Sequence, residues 1–195
     1  GGLVNGETQR MPLPRGPLNE FLATSRLFFG MELLEQRTPT QARWGAMLGI
    51  KEYPTPTTPG LFNSLLAAPF PFVLTQSFAF VSKATAQGLL QRQSARMGNV
   101  GDFAISQARE LTEALDALTS NEFVMGEHHL SLQVQTELTS IGGGRAEQAL
   151  AKLNDDVALA RTMLSECGMT VAREDLALEP AFWAQLPGAF VWRPR

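Results

Sequence analysis

Cysteine is almost missing from this sequence of 195 residues. Cys167 stands alone, which excludes an internal disulfide and a cysteine-rich zinc site. There are only 2 histidines, so a zinc site of three or four converging side chains has little to draw on. Basic charge is not in excess either. With 16 Lys and Arg against 19 Asp and Glu, the net charge is −3. The clustered cations that displace counterions from nucleic acid are therefore absent. Charged residues make up 18% and apolar ones 44%, too little charge and too much apolar mass for a disordered tail. A chain of this length buries about 70% of its unfolded surface, enough for one core without staples, so one domain is the expectation. The start, Gly1-Gly2-Leu3-Val4-Asn5-Gly6, lacks the basic end and apolar run of a secretory signal. A lone thiol fits a reducing, cytoplasmic compartment.

The longest stretch without charge runs from Tyr53 to Ser82. A membrane span needs about 20 residues of continuous helix. Leu61–Val81 carries Pro69 and Pro71, which would leave backbone groups unpaired in mid-bilayer. The stretch reads instead as a short helix over Leu61–Ala68, a turn, and a strand over Phe72–Val81. Phe72, Leu74, Phe78 and Phe80 share one face of that strand, and Val73, Ala79 and Val81 the other. Both faces are apolar, which predicts a central strand.

Elsewhere the pattern alternates between periods. Residues 1–24 are loop-like, with Pro12, Pro14, Gly16 and Pro17. Leu27, Phe29, Met31 and Leu33 alternate, as do Trp44, Ala46, Leu48 and Ile50, predicting two strands of a hairpin turning at Arg37-Thr38-Pro39-Thr40. The prolines from Tyr53 to Gly60 mark an extended linker. Ser82 is placed to cap a helix over Lys83–Met97. After Gly98-Asn99-Val100-Gly101, Asp102 is placed to cap the next, with Ala108, Leu111, Leu115 and Leu118 at helical spacing. Glu122–Gln135 alternates strictly and predicts a half-exposed strand. Val124, His128, Leu130, Leu132 and Val134 take its apolar face; His129, Ser131, Gln133 and Gln135 take its polar one. A long helix follows, carrying Leu150, Leu153, Val157, Leu164 and Cys167, with Gly168 as its stop. Met169–Arg173 is a short strand, and Pro180 opens a last helix ending near Leu186. The expected fold is α+β: helices on a mostly antiparallel sheet, one domain over residues 25–188. Residues 189–195 would start a linker.

No motif supplies chemistry. Gly142-Gly143-Gly144-Arg145 opens the long helix, where free amides attract anions. Yet no Gly-x-x-x-x-Gly-Lys with a following Ser or Thr occurs, nor Gly-x-Gly-x-x-Gly. A plain turn is the reading. His128 and His129 are neighbours on a strand and point to opposite faces, and Glu127 beside them completes no ligand set. His128 is expected in the core or at its edge, His129 in solvent. Cys167 ends an apolar stripe and reads as a small hydrophobe rather than a nucleophile. Asp155-Asp156 and Glu174-Asp175 read as solvated faces rather than acid–base pairs. Arg92, Arg96, Arg109 and Arg145 are scattered without aromatic neighbours and make no nucleic-acid stripe. No catalytic, cofactor or metal residue is expected.

Three runs carry a resemblance. Phe78–Asp102 (FAFVSKATAQGLLQRQSARMGNVGD), Leu118–Leu132 (LTSNEFVMGEHHLSL) and Val171–Gly188 (VAREDLALEPAFWAQLPG) occur in this order and spacing. Together they resemble the N-terminal half of the large type IV secretion ATPases, the VirB/TrbE/CagE family, from about Phe21 onward. The resemblance implies a longer parent that hydrolyses ATP to drive pilus assembly and export of DNA or protein. It also implies a RecA-like motor after Arg195 that holds the ATP and Mg. The family works as an oligomer, often a hexamer, at the cytoplasmic face of the bacterial inner membrane. No Walker lysine, Walker acid or arginine finger falls on a residue of this chain. The expected role is therefore docking and oligomerisation beside other secretion components, without nucleic acid; peripheral membrane contact through Leu61–Val81 is a subsidiary reading beside burial of that stretch. The uncharged stretch and the polar face of His129, Ser131, Gln133 and Gln135 are its expected surfaces. The alternatives are a free-standing adaptor module and a DNA-binding domain of a conjugation protein.

Overall fold

The computed structural model describes residues 3–4, 7–8, 25–55, 57–97, 104–142 and 144–189. Two-residue strands β1 (Leu3–Val4) and β2 (Glu7–Thr8) pair antiparallel. Then come β3 (Arg26–Phe29), β4 (Leu34–Arg37), β5 (Gln41–Glu52), a 3-10 turn (Asn63–Ala67) and β6 (Phe72–Phe80). Helices α1 (Lys83–Met97) and α2 (Ala104–Thr119) precede β7 (Gly126–Gln135) and β8 (Thr139–Ser140). Helix α3 (Arg145–Glu166), β9 (Thr170–Arg173) and α4 (Leu178–Trp183) complete the order. The fold is α+β, as expected. Its seven-stranded sheet has the order β3-β4-β5-β7-β6, with β8 and β9 pairing β5. Contacts gather into two compact units, residues 1–73 with 132–195, and residues 74–131.

In the first unit, the expected hairpin turn holds. Thr38 donates its N–H to the Gln41 carbonyl at 2.8 Å, and its hydroxyl accepts from the Gln41 N–H at 3.1 Å. The strand before it is not one strand. Gly30 donates its N–H to the Leu33 carbonyl at 2.8 Å, and the chain doubles back so that Phe29 pairs with Leu34. The even spacing of Leu27, Phe29, Met31 and Leu33 therefore spans a turn, with Met31 exposed at its tip. Strand β5 is the spine. Ala42, Trp44, Ala46, Met47 and Leu48 are buried along it, because β4 and β9 both pair with it antiparallel. Leu34 and Met47 pack on Leu178 and Ala181 of α4, closed by an edge-to-face pair of Phe29 and Phe182 at 5.5 Å.

Helix α3 buries Leu153, Val157 and Leu164 of the predicted apolar stripe, leaves Leu150 and Cys167 half-buried, and adds Ala160 and Asp156. It stops as expected. Gly168 adopts φ +78°, donates to the Ser165 carbonyl at 2.8 Å, and Met169 donates to the Leu164 carbonyl at 3.1 Å. These two bonds satisfy carbonyls that the helix end would orphan, and the left-handed residue between them favours glycine.

In the second unit, Ser82 caps α1. Its hydroxyl accepts the Thr85 N–H at 3.2 Å. Lys83 ties α1 to the end of α2, donating to the Thr119 carbonyl at 2.6 Å and to Asn121 Oδ1 at 2.9 Å. Ala86, Leu90 and Leu118 form the core there, with Val81, Leu111, Leu115 and Met125 against it. The expected cap Asp102 and break Gly98–Gly101 lie outside the described residues, as do residues 190–195.

Candidate functional site

The structure exchanges the two strands that sequence ranked by burial. Strand β6, expected in the centre, pairs only with β7 among the described residues and ends the sheet. Strand β7, expected half-exposed, lies between β5 and β6. Its polar side chains Ser131 and Gln133 are 2% and 3% exposed, so they are no surface. Gln133 tolerates burial because its Oε1 accepts from Gln185 Nε2 at 2.9 Å. The Ser131 hydroxyl is buried without a partner among the described residues. His128 is exposed and His129 half-buried, the reverse of the expectation.

What sequence placed inside is outside. Phe80 is 77% exposed, Phe78 46% and Val124 65%. Alternation explains the arrangement: Val81 and Met125 turn inward to the α1–α2 core, and their neighbours Phe80 and Val124 turn away from it. The rings of Phe78 and Phe80 meet edge to face at 5.0 Å, and His128 tilts beside Phe78 at 6.5 Å. Phe78 also lies over Gly126, where a Cβ would enter its ring. That geometry makes a firm apolar patch rather than two loose side chains.

The remaining candidates become structural. Asp156, expected in solvent, is buried and held by Lys152 Nζ at 2.7 and 2.8 Å. Glu174 is buried against Lys51 Nζ at 3.3 Å. Their partners Asp155 and Asp175 are exposed. Asp175 Oδ1 accepts the Leu176 N–H at 2.5 Å, shaping the entry to α4. Cys167 is half-buried and donates its thiol to the Leu61 carbonyl at 3.0 Å. Arg92, Arg96 and Arg145 are exposed, and Arg109 pairs one turn along with Glu113 at 3.4 Å. Gly144 takes φ +73° at the start of α3. Beside that start is an open cavity of about 430 Å³, lined by Pro71, Glu137, Thr139, Arg145, Gln148 and Lys152 among others. Its cations and carboxylates are mixed, so it presents no net charge to a ligand. Among the described residues no group of three His, Cys, Asp or Glu is placed to hold a metal. No helix among them is long and apolar enough to cross a membrane, and Leu61–Val81 divides into the 3-10 turn and β6.

The family model of the CagE, TrbE, VirB family, component of type IV transporter system, matches residues 1–195. The chain belongs to that family. A type IV secretion system protein virB4 of Bartonella henselae is 46% identical over 99% of this chain and 23% of its own length. Protein virB4 of Rhizobium radiobacter is 41% identical over the same shares. A PtlC homolog of Bordetella bronchiseptica, also a type IV secretion system protein, is 40% identical over 99% of this chain and 22% of its own length. The chain thus spans about a quarter of the length of the curated relatives it matches. The match takes in the first twenty residues, which the sequence resemblance left out.

Proposed function

We propose that this chain is the N-terminal, non-motor region of a type IV secretion ATPase and that it docks the motor onto neighbouring subunits and secretion components. The exposed Phe78–Phe80 patch carries the reading. Two aromatic rings left in water, on a strand that ends its sheet, suit association better than catalysis. In the parent, ATP and Mg belong to a following RecA-like domain. This chain offers no lysine-bearing phosphate loop to neutralise the β/γ-phosphates. The parent works as an oligomer at the cytoplasmic face of the inner membrane, energising pilus assembly and export of DNA or protein.

The test is capture. Immobilised chain should retain type IV secretion components, identified by mass spectrometry, from envelope extracts of a strain that makes them. A Phe80→Lys chain should retain far less. Equal retention by both chains, or retention of no such component, overturns the reading. Calorimetry with Mg-ATP is the second measurement: binding at micromolar affinity would move the nucleotide site into this chain and overturn the division of labour.

A further inference from the structure

Among the described residues nothing pairs the outer edge of strand β6, and its hydrogen-bonding parity follows from its neighbours. Val81, next in line, donates its N–H to the Met125 carbonyl at 3.0 Å on the β7 side. Along an antiparallel strand such groups alternate. The odd-numbered residues of β6 therefore bond inward to β7, and Leu74, Gln76, Phe78 and Phe80 aim their N–H and C=O groups outward. No Lys, Arg, Asp or Glu lies anywhere between Tyr53 and Ser82. An edge strand ordinarily carries a charge or a proline to prevent pairing. From Leu74 to Phe80 there is neither.

We propose that this edge pairs with the β6 edge of a second copy of the chain, antiparallel about a two-fold axis at Gln76. The inference rests on the docking reading and names the partner of the same surface. Self-complementarity argues for it. With Gln76 opposite Gln76, Leu74 of each copy faces Phe78 of the other, an aliphatic–aromatic pair of the kind that stabilises sheets. The two Gln76 amides can exchange hydrogen bonds, since each carries both donor and acceptor. An isologous pairing sets each residue of one copy against its symmetry mate's counterpart, and only the axis residue meets its own kind; with no charged side chain along the edge, no like-charge pair arises. Exposed surface argues for the strength. Phe78 and Phe80 together expose on the order of 200 Å² of side chain. The seven-residue edge adds a strip about 23 Å long. Stable interfaces bury about 800 Å² per partner, so this contact sits at the small, reversible end.

The experiment uses the full chain with Cys167→Ser, which removes its one thiol and keeps a hydroxyl donor for the Leu61 carbonyl. Adding Gln76→Cys should give a disulfide-linked dimer on mild oxidation. Directly opposite residues that exchange both backbone bonds lie about 5.5 Å apart at Cα, within disulfide reach. Thr75→Cys, on the other parity, should not cross-link. Sedimentation of the unmodified chain should show a reversible dimer in the micromolar range. Gln76→Pro removes an outward N–H and fixes φ at a position whose inward bonds to β7 are made by its neighbours, and Phe80→Lys adds charge to the patch. Each should weaken the dimer at least about tenfold. A chain that stays monomeric, a dimer indifferent to both variants, or equal cross-linking at positions 75 and 76 would overturn the pairing. If β6 instead takes an extended segment of a secretion component, the isolated chain stays monomeric. The docking reading then survives, because capture from envelope extracts does not depend on self-association.

Discussion

Phe78 lies over Gly126 so closely that a methyl group at position 126 would enter its ring and press on the Ala79 carbonyl. Glycine is required here by a neighbour, not by a backbone angle. Gly126→Ala should cost about 1–3 kcal/mol, the usual range for overpacking, read in urea unfolding. Phe78→Ala in the same chain should recover the ring's share of that loss and leave the part due to the Ala79 carbonyl. Additive losses in the double mutant would show that the two sites do not interact.

Gln133, buried, and Gln185, half-buried, form an amide pair at 2.9 Å. Gln185→Ala leaves the Gln133 oxygen without that donor in a site only 3% exposed. The expected loss is about 1–3 kcal/mol in chemical denaturation, since a buried acceptor then goes unsatisfied. Replacing both glutamines by leucine should cost less than the single change. A larger loss in the double variant would show that shape, not hydrogen bonding, governs this site.

Gly168 holds φ +78° at the end of α3, with Pro54 Cβ 3.0 Å from where its own Cβ would be. Gly168→Ala should lower stability by about 1–2 kcal/mol through the left-handed strain alone. At this chain length that is about 2–4 °C of melting temperature per kcal/mol. Gly168→Asn should cost less than alanine at the angle, though it meets Pro54 equally. Equal losses would point to the proline contact as the cause.

Tyr53 is the sole tyrosine, and burial holds its phenol above the ordinary value. The neutral form is favoured in the folded chain. Its contribution to stability is therefore constant below about pH 10, falls as pH rises through the unfolded value, and is fully lost above the folded one. Phenolate absorbance of the folded chain should titrate at higher pH than that of the urea-unfolded chain. Coincident midpoints would remove the effect.

The periods in the sequence located most elements, because turn chemistry and helix caps are local. Ser82, the turn at Thr38 and the stop at Gly168 were all legible from neighbouring residues. Burial was less legible. Phe72, Leu74, Phe78 and Phe80 say that a strand is apolar, but not whether another strand lies beside it. Ser131 and Gln133 say that a face is polar, but Gln185, fifty-two residues away, decides that one of them can be buried. Glu174 looked solvated because its cation, Lys51, is far away in sequence, whereas Asp156 has Lys152 one turn before it on the same helix, and what was hidden there was the packing that buries the carboxylate. The turn at Gly30 was hidden because two short strands can keep one parity through a tight reversal. The docking patch was therefore visible as composition, the uncharged run from Tyr53 to Ser82, and invisible as a surface.

The division into two units also orders events during synthesis. Residues 74–131 are contiguous and carry their own apolar cluster, so this portion can close upon itself while the ribosome is still translating. The other unit is assembled from residues 1–73 and 132–195, and β5 waits for β9 and α4 to emerge. For that interval the nascent polypeptide keeps Met47 and Leu48 without their later partners, a window in which a chaperone would find its target.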